Sequence, residues 1–220
     1  MRKRIISLFI ALSVAVSFAL PSFAAGWFNK SVFNGRSDII VSYDDIAATT
    51  FVYPNLDMFG PTFINLENGM IFVEPSIGIV DSSEDSLDAF VLNFRYFGND
   101  WVNLNTIWIK VGNNRYSFRQ CKPYQSIFEG SLCHECIGFP LKNETLPFIQ
   151  DFVQHQNEEI KVRLEGDDRN FDFVLTTDMK NCIICMYNLF VSGGGTRKSN
   201  LDNITPIDSV VIERNYQRIY

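Results

Sequence analysis

The chain has 220 residues, a net charge of −6 at pH 7, and a large aromatic load of 20 Phe and 8 Tyr. An acidic chain repels phosphate backbones and anionic lipid surfaces, which argues against nucleic-acid binding. The aromatic content argues against a disordered polypeptide and for a β-rich core.

Residues 1–24 read as a secretory signal peptide. Arg2, Lys3 and Arg4 form the positive start, Ile5 to Leu20 the apolar run, and Ser22 and Ala24 the small residues of a cleavage site. The run is short for a membrane span, which needs about 20 residues, and no stop-transfer segment follows. No cysteine stands just after the cleavage site, so a lipid anchor is not indicated. Taking 24 residues from 220 leaves 196, and losing three positive charges takes the net charge from −6 to −9. The expectation is an exported protein, periplasmic or extracellular, without a transmembrane anchor after cleavage. Residues 25–220 are expected to form one β-rich domain.

Strands are predicted at Ile39–Tyr43, Thr49–Tyr53 and Met70–Glu74, punctuated by Pro54, Gly60-Pro61 and Asn68-Gly69. The acidic run from Asp81 to Asp88 lacks the glycine of a calcium loop and reads as a solvated turn. Phe90, Leu92, Phe94 and Tyr96 then alternate with Val91, Asn93 and Arg95, the signature of a half-buried strand. After the turn Phe97–Asp100, strands are predicted at Trp101–Asn105 and Thr106–Val111. A short Gly112–Asn114 hairpin loop leads to a further strand at Arg115–Arg119. Ile160–Glu165 and Phe171–Leu175 flank a polar turn and form the clearest hairpin; Ser209–Glu213 is a closing strand. Two helices are predicted. One covers Glu144–Gln154, with Leu146, Ile149 and Val153 on a stripe. The other covers Thr177–Phe190, with Met179, Cys182, Ile183, Met186 and Phe190 on a stripe and Gly193-Gly194-Gly195 at its end. A flexible loop is expected near 192–200. The fold class is therefore mainly β, α+β by count: an antiparallel β-sandwich or barrel with two packed helices.

Five cysteines form the only chemically pointed set: Cys121, Cys133, Cys136, Cys182 and Cys185. Export favours a disulfide, and Cys121 with Cys133 or Cys136 would staple a Pro- and Gly-containing loop. The two C-x-x-C pairs, Cys133/Cys136 and Cys182/Cys185, supply the four thiolates of a zinc site. Their separation exceeds the usual ribbon spacing, and the second pair falls within a predicted helix. The third reading makes Cys182 and Cys185 small apolar core residues. A thiol-dependent enzyme would use Cys133 and Cys136 with His134, but no helix N-terminus follows that pair to lower a thiol pKa.

Elsewhere, His134 and His155 are the only histidines, and no G-x-S-x-G elbow accompanies them. The run from Gly193 to Ser199 lacks the glycine before the lysine of a phosphate loop. Trp27, Trp101 and Trp108 are read as packed residues ahead of an exposed platform for sugar rings. The sequons at Asn29, Asn143 and Asn203 matter only in a glycosylating host.

The run Tyr96-Phe97-Gly98-Asn99-Asp100-Trp101, followed by paired strands, a helix and Lys161-Val162-Arg163-Leu164-Glu165-Gly166, resembles exported bacterial proteins of uncharacterised function with a β-sandwich body. The likeness spans roughly residues 40 to 180. It implies a fold and carries no catalytic or binding residue. The functional expectation is a non-catalytic binding or structural protein with a protein or glycan ligand and no cofactor. The alternatives are the thiol enzyme and the zinc-stapled module.

Overall fold

The computed structural model describes residues 28–81, 86–120, 123–128, 132–141, 145–195 and 209–213. The expected signal peptide, Trp27, Cys121, the acidic turn at 82–85, the sequons at Asn143 and Asn203, and residues 196–200 of the expected loop lie outside them.

Strands β1 (Ile39–Asp44), β2 (Thr49–Pro54), β4 (Gly69–Asp81), β5 (Ser86–Gly98), β9 (Leu132–Pro140) and β8 (Tyr124–Phe128) follow one another across the larger sheet. Strand β3 (Phe63–Leu66) pairs with the start of β4. The smaller sheet runs β11 (Asn170–Val174), β10 (Lys161–Gly166), β6 (Leu104–Val111), β7 (Asn114–Arg119) and β12 (Ser209–Glu213). Every pairing is antiparallel. The two sheets pack face to face as a sandwich and do not close into a barrel. Beside them lie a 3-10 turn (Lys30–Phe33) and three helices: α1 (Leu56–Phe59), α2 (Leu146–Gln154) and α3 (Thr177–Ser192).

The β4–β5 hairpin organises this arrangement. Each arm has 13 residues, paired in one unbroken register from Gly69 opposite Gly98 to Asp81 opposite Ser86. At about 3.4 Å per residue the hairpin is long enough for two partners on one face. Near one end, Phe90 meets Tyr187 and Phe190 of α3, each at 6.1 Å between ring centroids. Near the other end, Tyr96 stacks on Phe171 of β11 at 5.1 Å. Between these contacts, Phe118 of β7 stacks on Phe139 of β9 at 3.8 Å, and Phe148 of α2 sets its edge against both rings and Tyr116. One continuous apolar cluster therefore joins both sheets, α2 and α3. The alternating residues Phe90, Leu92, Phe94 and Tyr96 all point into it.

Several predicted elements change at their ends, each for a physical reason. Met70–Glu74 continues through Pro75 to Asp81. β3 pairs with residues 69–72 of β4 and β2 with 77–80, so Pro75 falls in the gap where no ladder needs its missing N–H. Trp101–Asn103 is not a strand; its chain crosses from one sheet to the other. The region after Cys121, read as a loose loop, instead supplies β8 and β9. Strand β9 lies inside the larger sheet, between β5 and β8. Gly98, opposite Gly69, is needed because a Cβ there would stand 1.8 Å from the Tyr96 hydroxyl.

Candidate functional site

Cys133-His134-Glu135-Cys136 lies wholly within β9, and strand geometry sends successive side chains to opposite faces. Cys133 and Glu135 share the inner face with Ile137 and Phe139; His134 and Cys136 share the outer one. A C-x-x-C pair in a strand therefore cannot close on itself or chelate one ion from one side. Cys133 and Cys136 are both free thiols; Cys121, the expected bridge partner of one or the other, lies outside the described residues. Cys182 and Cys185 are also free, and sit on α3. Among the described residues no group of three or more His, Cys, Asp or Glu is arranged to hold a metal. The four cysteines of the zinc reading are not brought together.

On the inner face, Glu135 is fully buried and accepts three backbone N–H groups from the crossover: Val102 at 2.5 Å, Asn103 at 3.0 Å and Leu104 at 2.7 Å. Asn103 reaches this geometry with φ of +54°, a region asparagine tolerates better than most residues. Its side chain is tied to Asp168 and Gln125. Beside it the Cys133 thiol points to the Asn99 carbonyl at 3.7 Å. Burial, with Asp100 and Glu135 nearby, pushes that thiol's pKa up. Glu135 thus fastens β9 to the loop joining the two sheets.

On the outer face, His134 is fully buried. Its ring stacks on Phe97 at 4.4 Å, Tyr124 approaches edge-on at 5.7 Å, and Nδ1 lies 3.0 Å from the Ser126 hydroxyl. Nε2 is buried without a hydrogen-bond partner. Burial and the Arg95 charge lower the His134 pKa to about 4, so the ring stays neutral at physiological pH. Arg95, 4% exposed, sets Nε 2.5 Å from Glu74 Oε2. Burial opposes its charge, but Glu74 and Cys136 hold the guanidinium pKa above its usual value. Burial also raises the Cys136 thiol, with Arg95 opposing only in part. A neutral thiol beside a neutral imidazole is not an activated pair. Arg95 was visible in the sequence only as the polar partner in the Phe90–Tyr96 alternation. Nothing there showed that its face of the sheet is buried.

Around α3 the arrangement differs. Thr176 caps the helix by accepting the Met179 N–H at 3.2 Å, and Met179, Cys182, Ile183, Met186, Leu189 and Phe190 face the core. Cys182 is a core residue, as the third reading of the cysteines held. Cys185 is only half-buried. Its thiol donates to Asp38 Oδ2 at 3.3 Å and lies 3.4 Å from Arg36 Nη2, while Arg36 is paired with Asp38 through both Nε and Nη2. Arg36 holds the Asp38 carboxyl below its usual range. Burial and Asp38 raise the Cys185 pKa to about 11, so this thiol serves as a hydrogen-bond donor. The cluster borders an open groove of about 350 Å³ lined by Arg36, Asn181, Ile184, Cys185, Asn188, Leu189 and Ser192. The sequence hid this groove because it joins residues 36–38 to a helix almost 150 positions later.

Trp108 forms neither core nor open platform: its indole N–H donates to Glu165 at 2.7 Å and Arg115 covers its ring at 4.8 Å. Trp101 is half-buried. His155 closes α2, with Nδ1 2.9 Å from the Asp151 carbonyl. No helix among the described residues is long and apolar enough to cross a membrane. Compared with known protein families, characterised proteins and solved structures, the chain matches none.

Proposed function

We propose that this is an exported, non-catalytic binding protein that engages a protein partner through the α3 groove and the adjoining start of β1. The observation that carries the reading is the division of polar groups. Those of β9 are buried in structural contacts, whereas the groove presents Asn181, Asn188 and Ser192 together with Arg36 at an accessible concave surface. Carboxamides and a guanidinium beside Ile184 and Leu189 suit hydrogen bonding to a polypeptide over a partly apolar floor. A glycan reading has less support, because Arg115 occupies the face of Trp108. The thiol-enzyme alternative is disfavoured by the raised pKa of Cys133 and Cys136 and their opposite faces.

The test is partner retention from envelope extracts by the wild-type protein and by Asn188→Arg. The reading expects a retained protein that Asn188→Arg loses while Cys136→Ser keeps it. Equal retention by wild type and Asn188→Arg would move the binding surface elsewhere. A turnover abolished by Cys136→Ser would instead establish the enzyme.

A further inference from the structure

Strand β8 closes the larger sheet at the end opposite β1, and among the described residues no strand pairs beyond it. It is five residues long and lies on β9, with Tyr124 opposite Cys136 and Ser126 opposite His134. The side chains it turns inward reach little of the core: Gln125 is exposed, and Ile127 is 57% exposed. Its outer side carries the fastening. The Ser126 hydroxyl lies 3.0 Å from His134 Nδ1, and the Tyr124 ring meets the imidazole edge-on at 5.7 Å. Phe128 sets its edge against Phe97 at 5.5 Å, and Phe97 in turn stacks on His134. The fully buried imidazole is therefore the centre of the seam between β8 and the rest of the sheet.

The groups that face this ring leave it no room for a charge. From β5 come Phe97 and Arg95, the latter opposite Cys136 and so diagonal to His134. From β8 come Tyr124 and Ser126, and from its own strand Cys136. Glu74 of β4 is ion-paired with Arg95, and among the described residues no carboxylate meets the imidazole. In either tautomer Ser126 satisfies Nδ1 alone, while Nε2 is buried without a partner. A neutral ring between aromatic neighbours tolerates one orphan nitrogen. An imidazolium would bury a positive charge beside Arg95 together with a second N–H that has no acceptor. Strand β5 is central, and β9 is paired on both sides and fastened by Glu135. Strand β8 has a partner on one side only, so its detachment brings water to the ring at the smallest loss of structure.

We infer that β8 is an acid-released strand, latched by the neutral His134 imidazole and detached from β9 when that ring takes up a proton. Release uncovers the edge of β9 from Leu132 to Cys136. This device goes beyond the binding reading above and is independent of the α3 groove. The pH window follows from linkage. With β8 open, the hydrated ring titrates near 6.5; with β8 closed, it stays neutral down to about 4. Opening is therefore indifferent to pH above 6.5, grows about tenfold per pH unit below it, and levels off near 4.

Amide hydrogen exchange of the purified protein at about pH 7 and about pH 4.5, corrected for the intrinsic rate at each pH, reads the opening directly. Protection of the Tyr124–Phe128 amides should fall on the order of a hundredfold between the two, while the amides of β4 and α3 keep theirs. His134→Asn carries no titrating ring and should abolish the difference. Unchanged β8 protection in acid overturns the inference. So does a loss shared equally with β4 and α3, which is ordinary acid unfolding. A folded His134→Asn variant that still loses β8 protection in acid overturns it as well. Should that variant fail to fold, the wild-type comparison of β8 with β4 and α3 decides by itself.

Discussion

Strand β9 and the α3–β1 surface both gather cysteine, acid and base, yet they use them in opposite ways. In β9 the acid and the base are buried and held by their neighbours, Glu135 by three crossover amides and His134, its Nε2 apart, by Ser126 and two rings. Around α3 the pair Arg36–Asp38 is partly exposed, with side-chain exposures of 36% and 26%. A charge taken out of water needs full satisfaction, so β9 is committed to holding the fold. A charge left in water keeps capacity for a partner. Chemical richness in a motif is thus a poor guide to function until burial and facing are known.

The comparison breaks most visibly at Glu135. Glu135→Ala orphans three amides at the sheet crossover and should cost about 4 kcal/mol, read as a lower denaturation midpoint. Glu135→Gln, which keeps an acceptor oxygen, should cost less. A Glu135→Ala variant as stable as wild type would remove β9 from its structural role.

Next in size is His134. Its pKa falls from 6.5 unfolded to about 4 folded, so protons bind the unfolded state more readily. The contribution is fully present above pH 6.5 and is lost as pH falls through about 4. A shift of this size corresponds to about 3 kcal/mol, an order-of-magnitude figure. Urea melts from pH 7 to 4 should show this loss in wild type and a flatter profile in His134→Asn. Identical profiles would mean that the imidazole is not held neutral.

The smallest effects are expected at the surface. Asn188→Arg should change stability by less than about 0.5 kcal/mol while removing partner binding. Arg163→Ala breaks only the exposed Arg163–Asp172 pair, whose side chains are 50% and 62% exposed, and should cost at most about 1 kcal/mol. Thermal melts of both variants check this. A large loss from Asn188→Arg would show the groove to be part of the scaffold.

Most of the sandwich was legible because its strands alternate cleanly, as in Phe90–Tyr96, Thr106–Val111 and the Lys161–Val174 hairpin. α3 was legible from its apolar stripe and terminal glycines. Strand β9 was not, because Cys-His-Glu-Cys places polar residues on both faces and the alternation signal vanishes. The partners that make this burial tolerable, the amides of Val102, Asn103 and Leu104, belong to the backbone and leave no trace in residue type. The α3 surface escaped for a different reason: Asp38 and Cys185 meet across 147 positions. The zinc expectation rested on the spacing of the two C-x-x-C pairs. Spacing does not say that a three-residue step along a strand reverses the side chain.

The most direct test of β9 as a structural strand is the intact mass of the purified protein alkylated in denaturant without reductant. Free thiols at Cys133, Cys136, Cys182 and Cys185 predict that all four take the label. A blocked Cys133 or Cys136 would place a bridge where the structure has an interior strand, and would contradict the account.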